Sequence, residues 1–154
     1  ARTRVIAIDI AADKFGACRE AGADEIIDAS EGNVAEALLD LTGGDGVDVV
    51  IDFVSAASTL EAGAAALGRR GRLVTLGGAG EKFQADAHAM LLKEQDLLGS
   101  RYVTRSEVLD ALDLVARGDI WPKVTDIRPL EEAEALHERL ENGAVTGRAA
   151  VLIG

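Results

Sequence analysis

A single cysteine, Cys18, and two histidines, His88 and His137, are all that this 154-residue chain holds of the usual soft metal ligands. One thiol makes no internal disulfide, and there is no spaced Cys/His set for zinc, so no metal site made by this chain alone is expected. Long apolar runs are missing too. No stretch approaches the roughly 20 consecutive apolar residues of a membrane helix, and no signal-peptide pattern is seen; the expectation is a cytoplasmic protein without a membrane span. Cations are scarce against anions, with 16 Lys+Arg facing 27 Asp+Glu for a formal net charge of −11. Phosphate backbones and anionic lipid surfaces are bound through Lys and Arg fields, which excludes nucleic acid and membrane as partners. Among the cations, 12 Arg outnumber 4 Lys. An acid-rich, Lys-poor surface suits a high-salt cytoplasm, and a GC-rich coding bias gives the same preference, so salt adaptation stays open.

Apolar residues make up 48 % of the chain, too much for a disordered tail and enough to bury the core of one domain, or of a domain and a piece. Their pattern is strand then helix, repeated. Arg4 to Ile10 reads RVIAIDI, a β-branched run of the length of a buried parallel strand. A helix is expected over Asp13 to Ala21, with Phe15, Cys18 and Ala21 at helical spacing, then Gly22 as a stop and a strand over Glu25 to Ala29. Val34, Leu38 and Leu41 mark a second helix. After the turn Gly43-Gly44-Asp45-Gly46 come a strand over Val47 to Val54, a helix over Thr59 to Leu67, a strand over Arg72 to Leu76, a helical stretch over Ala87 to Lys93 and a strand over Asp96 to Tyr102. Strands separated by helical stretches of this length pair in parallel through right-handed crossovers, giving an α/β, doubly wound sheet. Beyond Ser100 to Thr104 the character changes. A helix is expected over Ser106 to Arg117 with Val108, Leu112 and Val115 on one face, another over Glu131 to Leu140 with Ala133, Leu136 and Leu140 inward, and a last strand over Arg148 to Ile153. An organisational boundary is therefore expected near Ser100 to Thr104.

Ligands of doubly wound sheets bind at the carboxyl ends of the strands. Asp9 stands at such an end. A carboxylate there accepts hydrogen bonds from an adenosine ribose and repels a 2′-phosphate, pointing to NAD over NADP; taken alone, it is better read as a solvated strand end or a helix cap. No G-x-G-x-x-G between a strand and a helix exists in the chain. Gly43-Gly44-Asp45-Gly46 precedes a strand and reads as a plain turn. Gly77-Gly78-Ala79-Gly80 follows one, where it lets a flat ring approach the backbone or forms a flexible turn. His88 and His137 read as packing residues, Cys18 as a small hydrophobe, and Ser55 and Thr75 lack the partners of a nucleophilic triad.

Together the runs VIAIDIAADKFGACREAGADEIIDAS, GGDGVDVVIDFVSAASTLEAGAAALGRRGRLVTLGG, LLGSRYVTRSEVLDALDLVARG and PLEEAEALHERLENGAVTGRAAVLIG resemble the carboxyl-terminal half of zinc-dependent medium-chain alcohol dehydrogenases, over essentially the whole chain. The resemblance implies that Asp9 and Lys14 bind the adenosine ribose, that Phe53 and Val54 line the adenosine and nicotinamide side, and that Leu76, Gly77 and Gly78 lie along the nicotinamide. It implies further that the backbone around Ser100 to Tyr102 holds the carboxamide and that Arg148 contacts the pyrophosphate. No catalytic residue and no metal ligand falls in this chain; the zinc of the intact enzyme is implied to sit in its other half. The resemblance implies that the chain starts at the second strand of a Rossmann fold, so residues 1–101 are expected to be a partial NAD-binding Rossmann domain lacking its first strand and helix, with strands 2 and 4 of the order 3-2-1-4-5-6 flanking a gap, and 102–154 a carboxyl-terminal segment that packs on the catalytic domain. The implied partners are an alcohol, aldehyde or ketone, the missing amino-terminal half, and further copies in a homodimer or homotetramer built on the outer strand. The alternatives are a non-catalytic nucleotide-binding or oligomerisation module, and a zinc-free quinone or enoyl reductase, in which a small or basic residue is expected in place of Asp9.

Overall fold

The computed structural model describes residues 3–154, and the chain divides into two compact units, the first ending at Tyr102 and the second spanning Val103–Gly154. The first unit runs β1 (Ile6–Asp9), a 3-10 turn (Ala12–Lys14), α1 (Phe15–Glu20), β2 (Glu25–Asp28), α2 (Val34–Leu41), β3 (Val47–Asp52), α3 (Ala57–Ala66), β4 (Leu67–Thr75), α4 (Ala87–Lys93) and β5 (Asp96–Gly99). Every strand pairing in it is parallel. The strands form two separate sheets, β1-β2 and β3-β4-β5, so among the described residues β1 bonds only β2 and β3 bonds only β4. This is the parallel α/β fold with its interruption between the strand that carries Asp9 and the strand that carries Asp52.

Local chemistry sets the elements. Asn33 caps α2 by accepting the Ala35 and Glu36 N–H groups, and Asp86 caps α4 by accepting those of His88 and Ala89. The stripe of α2 delivers Leu38 to a core with Ile27 and Ala66, against which Ile6 and Val47 pack. Because Ile6 lies in β1 and Val47 in β3, this core holds the two sheets together without a shared ladder. A second core of Leu60, Leu67 and Leu73 gathers Val50, Leu97 and Phe83 beneath α3. Each fully buried leucine contributes about 1.5–3 kcal/mol. Val50 is in register with Leu73, so these two share the covered face of the sheet; Ile51, Val74 and Leu98 share the opposite face, where Ile51 and Leu98 are exposed.

Several boundaries differ from the sequence expectation. The first helix opens as a 3-10 turn and becomes α-helical only at Phe15. Leu67 belongs to β4 and not to the preceding helix: its backbone is extended, it is fully buried, and it pairs with Val47 ahead of a register shift that leaves Gly68 to Gly71 bulged. β5 ends at Gly99, so Ser100 to Tyr102 form a loop.

The second unit contains α5 (Arg105–Ala116), β6 (Val124–Pro129), a 3-10 turn (Leu130–Glu132), α6 (Ala133–Glu141) and β7 (Arg148–Leu152), with β6 and β7 parallel. β6 is an addition to the expected elements. Its inward positions carry charge, since the Asp126 carboxylate accepts from Arg128 Nε and from Arg139 Nε of α6, while Ile127 faces solvent. That inverts the usual alternation. Leu136 of α6 is buried as expected, whereas Leu140 is exposed.

Candidate functional site

Asp9 ends β1 half-buried. Its Oδ1 accepts the Ala11 N–H at 2.9 Å and its carbonyl accepts the Ala29 N–H at 3.0 Å. One carboxylate oxygen thus fixes the turn before the 3-10 segment; the other makes no hydrogen bond among the described residues. The structure therefore shows the local cap and leaves one carboxylate oxygen over. Lys14, the last residue of that 3-10 turn, donates its N–H to the Ala11 carbonyl at 3.0 Å and presents a half-buried side chain. Beside Asp9 in register, Asp28 ends β2, with its carboxyl held below the ordinary range by the Ser30 hydroxyl and N–H.

The ends of β3, β4 and β5 are tied to one another. Asp52, almost fully buried at the end of β3, accepts the Val54 N–H at 2.7 Å and the Ser55 N–H at 2.8 Å through Oδ1. Burial pushes its carboxyl up, but the nearby Thr59 hydroxyl and the Ser55 and Val54 N–H groups outweigh it and hold the pKa below the ordinary value. The Thr59 hydroxyl itself is directed to the Ala56 carbonyl at 3.1 Å, which leaves Asp52 Oδ2 without a close partner. The Asp52 carbonyl accepts the Leu76 N–H at 2.8 Å, the Val54 carbonyl the Ala79 N–H at 3.1 Å, and the Thr75 carbonyl the Ser100 N–H at 3.0 Å. Ser55 is buried with φ +61°, and its hydroxyl bonds that of Thr75.

On this scaffold the apolar side chains stay open. Phe53 is 74 % exposed and Tyr102 87 % exposed, with Val54 and Leu76 also exposed. Gly77 presses against the chain after β3, whereas a Cβ at Gly78 would meet nothing within 4 Å. The Arg101 guanidinium lies 4.8 Å from the centre of the Tyr102 ring, and Tyr102 has φ +58°. The structure therefore groups Phe53, Val54, Leu76, Gly77, Gly78 and the loop from Ser100 to Tyr102 around bonded strand ends. It also shows the Ser100 N–H already engaged by Thr75, which leaves the backbone of Arg101 and Tyr102 as the donors on that loop. Arg148 belongs to the second unit, exposed at the start of β7, with its N–H on the Lys123 carbonyl at 2.8 Å.

Sequence reasoning passed over Asp52 and the Ser55–Thr75 pair. The available signal was an Asp closing an apolar strand just ahead of a Ser-Ala-Ala-Ser run, a pattern suited to turning the backbone. A shallow cleft beside α3 and α4, with Glu61, Gln84 and Lys93 on its walls, includes none of the expected site residues. Among the described residues no group of three or more His, Cys, Asp or Glu could hold a metal ion, and no helix is long and apolar enough to cross a membrane.

A family described as zinc-binding dehydrogenase matches residues 1–117. The NAD-dependent alcohol dehydrogenase of Sulfurisphaera tokodaii is 31 % identical over 94 % of this chain and 42 % of its own length. That of Saccharolobus solfataricus is 30 % identical over 96 % of this chain and 43 % of its own length. The crystal structure of the alcohol dehydrogenase from Aeropyrum pernix superposes with a TM-score of 0.86 at 34 % identity, covering 96 % of this chain and 42 % of that one. The chain thus spans well under half the length of the relatives it matches.

Proposed function

Because this chain belongs to the zinc-binding dehydrogenase family, we propose that it is the cofactor-binding part of an NAD-dependent alcohol dehydrogenase that moves a hydride between an alcohol and NAD. The observation that carries the reading is Asp9, a half-buried carboxylate at the end of a parallel strand with one oxygen committed to Ala11 and the other uncommitted. Such an oxygen accepts from the ribose hydroxyls of NAD and repels the 2′-phosphate of NADP. The residues present fit a dinucleotide in other respects. Lys14 stands on the turn that Asp9 fixes, the exposed Phe53, Val54 and Leu76 offer apolar surface to flat rings, and the open space at Gly78 admits a ring against backbone. The loop to Tyr102 supplies backbone donors. When bound, NAD supplies the hydride acceptor; this chain's residues hold and orient it and leave proton transfer to other parts of the enzyme.

Among the described residues no donor set fits zinc. In the proposed enzyme the zinc and the alcohol or carbonyl substrate are held by an amino-terminal half, which also supplies a strand between β1 and β3. The outer edge of β5 is unpaired among the described residues and supports assembly as a homodimer or homotetramer, and the place of work is the cytoplasm. The test is alcohol-dependent reduction of NAD by the full-length protein, followed by absorbance. Reduction of NAD with a panel of primary and secondary alcohols is expected; binding of NADH with no turnover of any alcohol would favour a nucleotide-binding module instead.

A further inference from the structure

The Ser55–Thr75 pair is built at a cost that a turn alone does not require. Serine at φ +61° sits in a region that glycine occupies freely and other residues resist. At this position a glycine would make the same backbone bonds, the N–H to Asp52 and the carbonyl that accepts the Glu81 N–H at 3.1 Å. What serine adds is its hydroxyl, and that hydroxyl, in a residue only 5 % exposed, bonds Thr75 on the neighbouring strand. Thr75 in turn is the last residue of β4, immediately before Leu76 and Gly77, and its carbonyl anchors Ser100 beyond β5. The two hydroxyls therefore join the chain just after Phe53 and Val54 to the strand end just before Leu76.

We infer that Ser55 and Thr75 are positioning residues that fix the spacing of these apolar walls against the nicotinamide half of the cofactor. The inference rests on the NAD reading above. Neither hydroxyl touches substrate or cofactor; each acts through the backbone that carries the walls.

The test uses the full-length protein and the variants Ser55→Gly, Thr75→Val and Thr75→Ser, with NADH affinity by fluorescence titration, KM and kcat, and melting temperature. Ser55→Gly removes the hydroxyl while relieving the backbone, so it folds. Thr75→Val keeps the shape and Thr75→Ser keeps the hydroxyl. Loss of one such hydrogen bond corresponds to roughly 3- to 10-fold. Ser55→Gly and Thr75→Val are expected to weaken NADH and raise the KM for NAD by that factor, with the NAD-to-NADP preference unchanged because Asp9 lies on the other sheet. Thr75→Ser is expected to stay near the parent. Parental NADH affinity in Thr75→Val and Ser55→Gly, or loss in Thr75→Ser equal to that in Thr75→Val, overturns the positioning role alone. An unmodified protein that binds no NADH overturns the cofactor reading and this role with it.

Discussion

A Cβ built on Gly77 would stand 2.2 Å from the carbonyl carbon of Val54. The chain leaving β4 crosses the chain leaving β3 at that point, and the neighbours in the way are backbone atoms that cannot rotate aside. Gly77→Ala is therefore expected to destabilise the full-length protein by about 3 kcal/mol, at the upper end of overpacking effects, while Gly78→Ala, facing open space, should stay within about 0.5 kcal/mol. Urea unfolding of both variants checks this; equal midpoints would mean that the crossing is looser than described.

Asp52 gives the end of β3 a pH dependence of known sign. Its folded carboxyl titrates below the ordinary value of 3.8 because hydrogen bonds outweigh burial. Its contribution to stability is fully present above that ordinary value and is lost as pH falls through the lower folded value. The stability gap between the parent and Asp52→Asn should therefore be constant near neutrality and close progressively in acid below the ordinary carboxylate range. Denaturation curves across that range test it, and a gap that stays constant into strong acid would contradict the assignment.

The face of the β3-β4-β5 sheet opposite α3 shows Val49, Ile51 and Leu98 to solvent. An apolar sheet face of this kind is covered in a stable α/β protein. The 154-residue polypeptide prepared alone is expected to bind the dye ANS strongly and to aggregate without a defined stoichiometry, and the full-length protein to bind little dye and to remain a defined dimer or tetramer. A dark, monodisperse isolated chain would show that this face needs no cover.

In the second unit, Thr104 and Glu107 form a reciprocal capping box at the start of α5, with the Thr104 N–H donating to Glu107 Oε2 at 2.6 Å. Thr104→Ala should lower stability by about 1 kcal/mol, read as a shift in the urea midpoint with an unchanged slope.

The repeating strand–helix order and the parallel pairing were legible because β-branched runs such as that around Ile6 and helical stripes such as Val34, Leu38 and Leu41 carry their periods in one dimension. Leu67 was misassigned because its strand begins with a bulge whose pairing to Val47 exists only in three dimensions. β6 was missed because its inward positions hold Asp126 and Arg128, which bond each other, with Asp126 also held by Arg139 thirteen residues along the chain, so its polarity runs opposite to the rule. The place of Asp9 at a strand end was legible from the apolar run before it. The role of Asp52 and the Ser55–Thr75 pair was not, since a serine at positive φ looks like any other serine in a sequence.

The most direct test of the account is a calorimetric titration of the full-length protein and its Asp9→Gly variant with NADH and with NADPH. The account predicts that the parent binds NADH at least about tenfold more tightly than NADPH, a difference of about 1.4 kcal/mol, and that the variant binds NADH more weakly with the preference largely erased. A parent that binds neither nucleotide, or a variant with the parental preference intact, would contradict it.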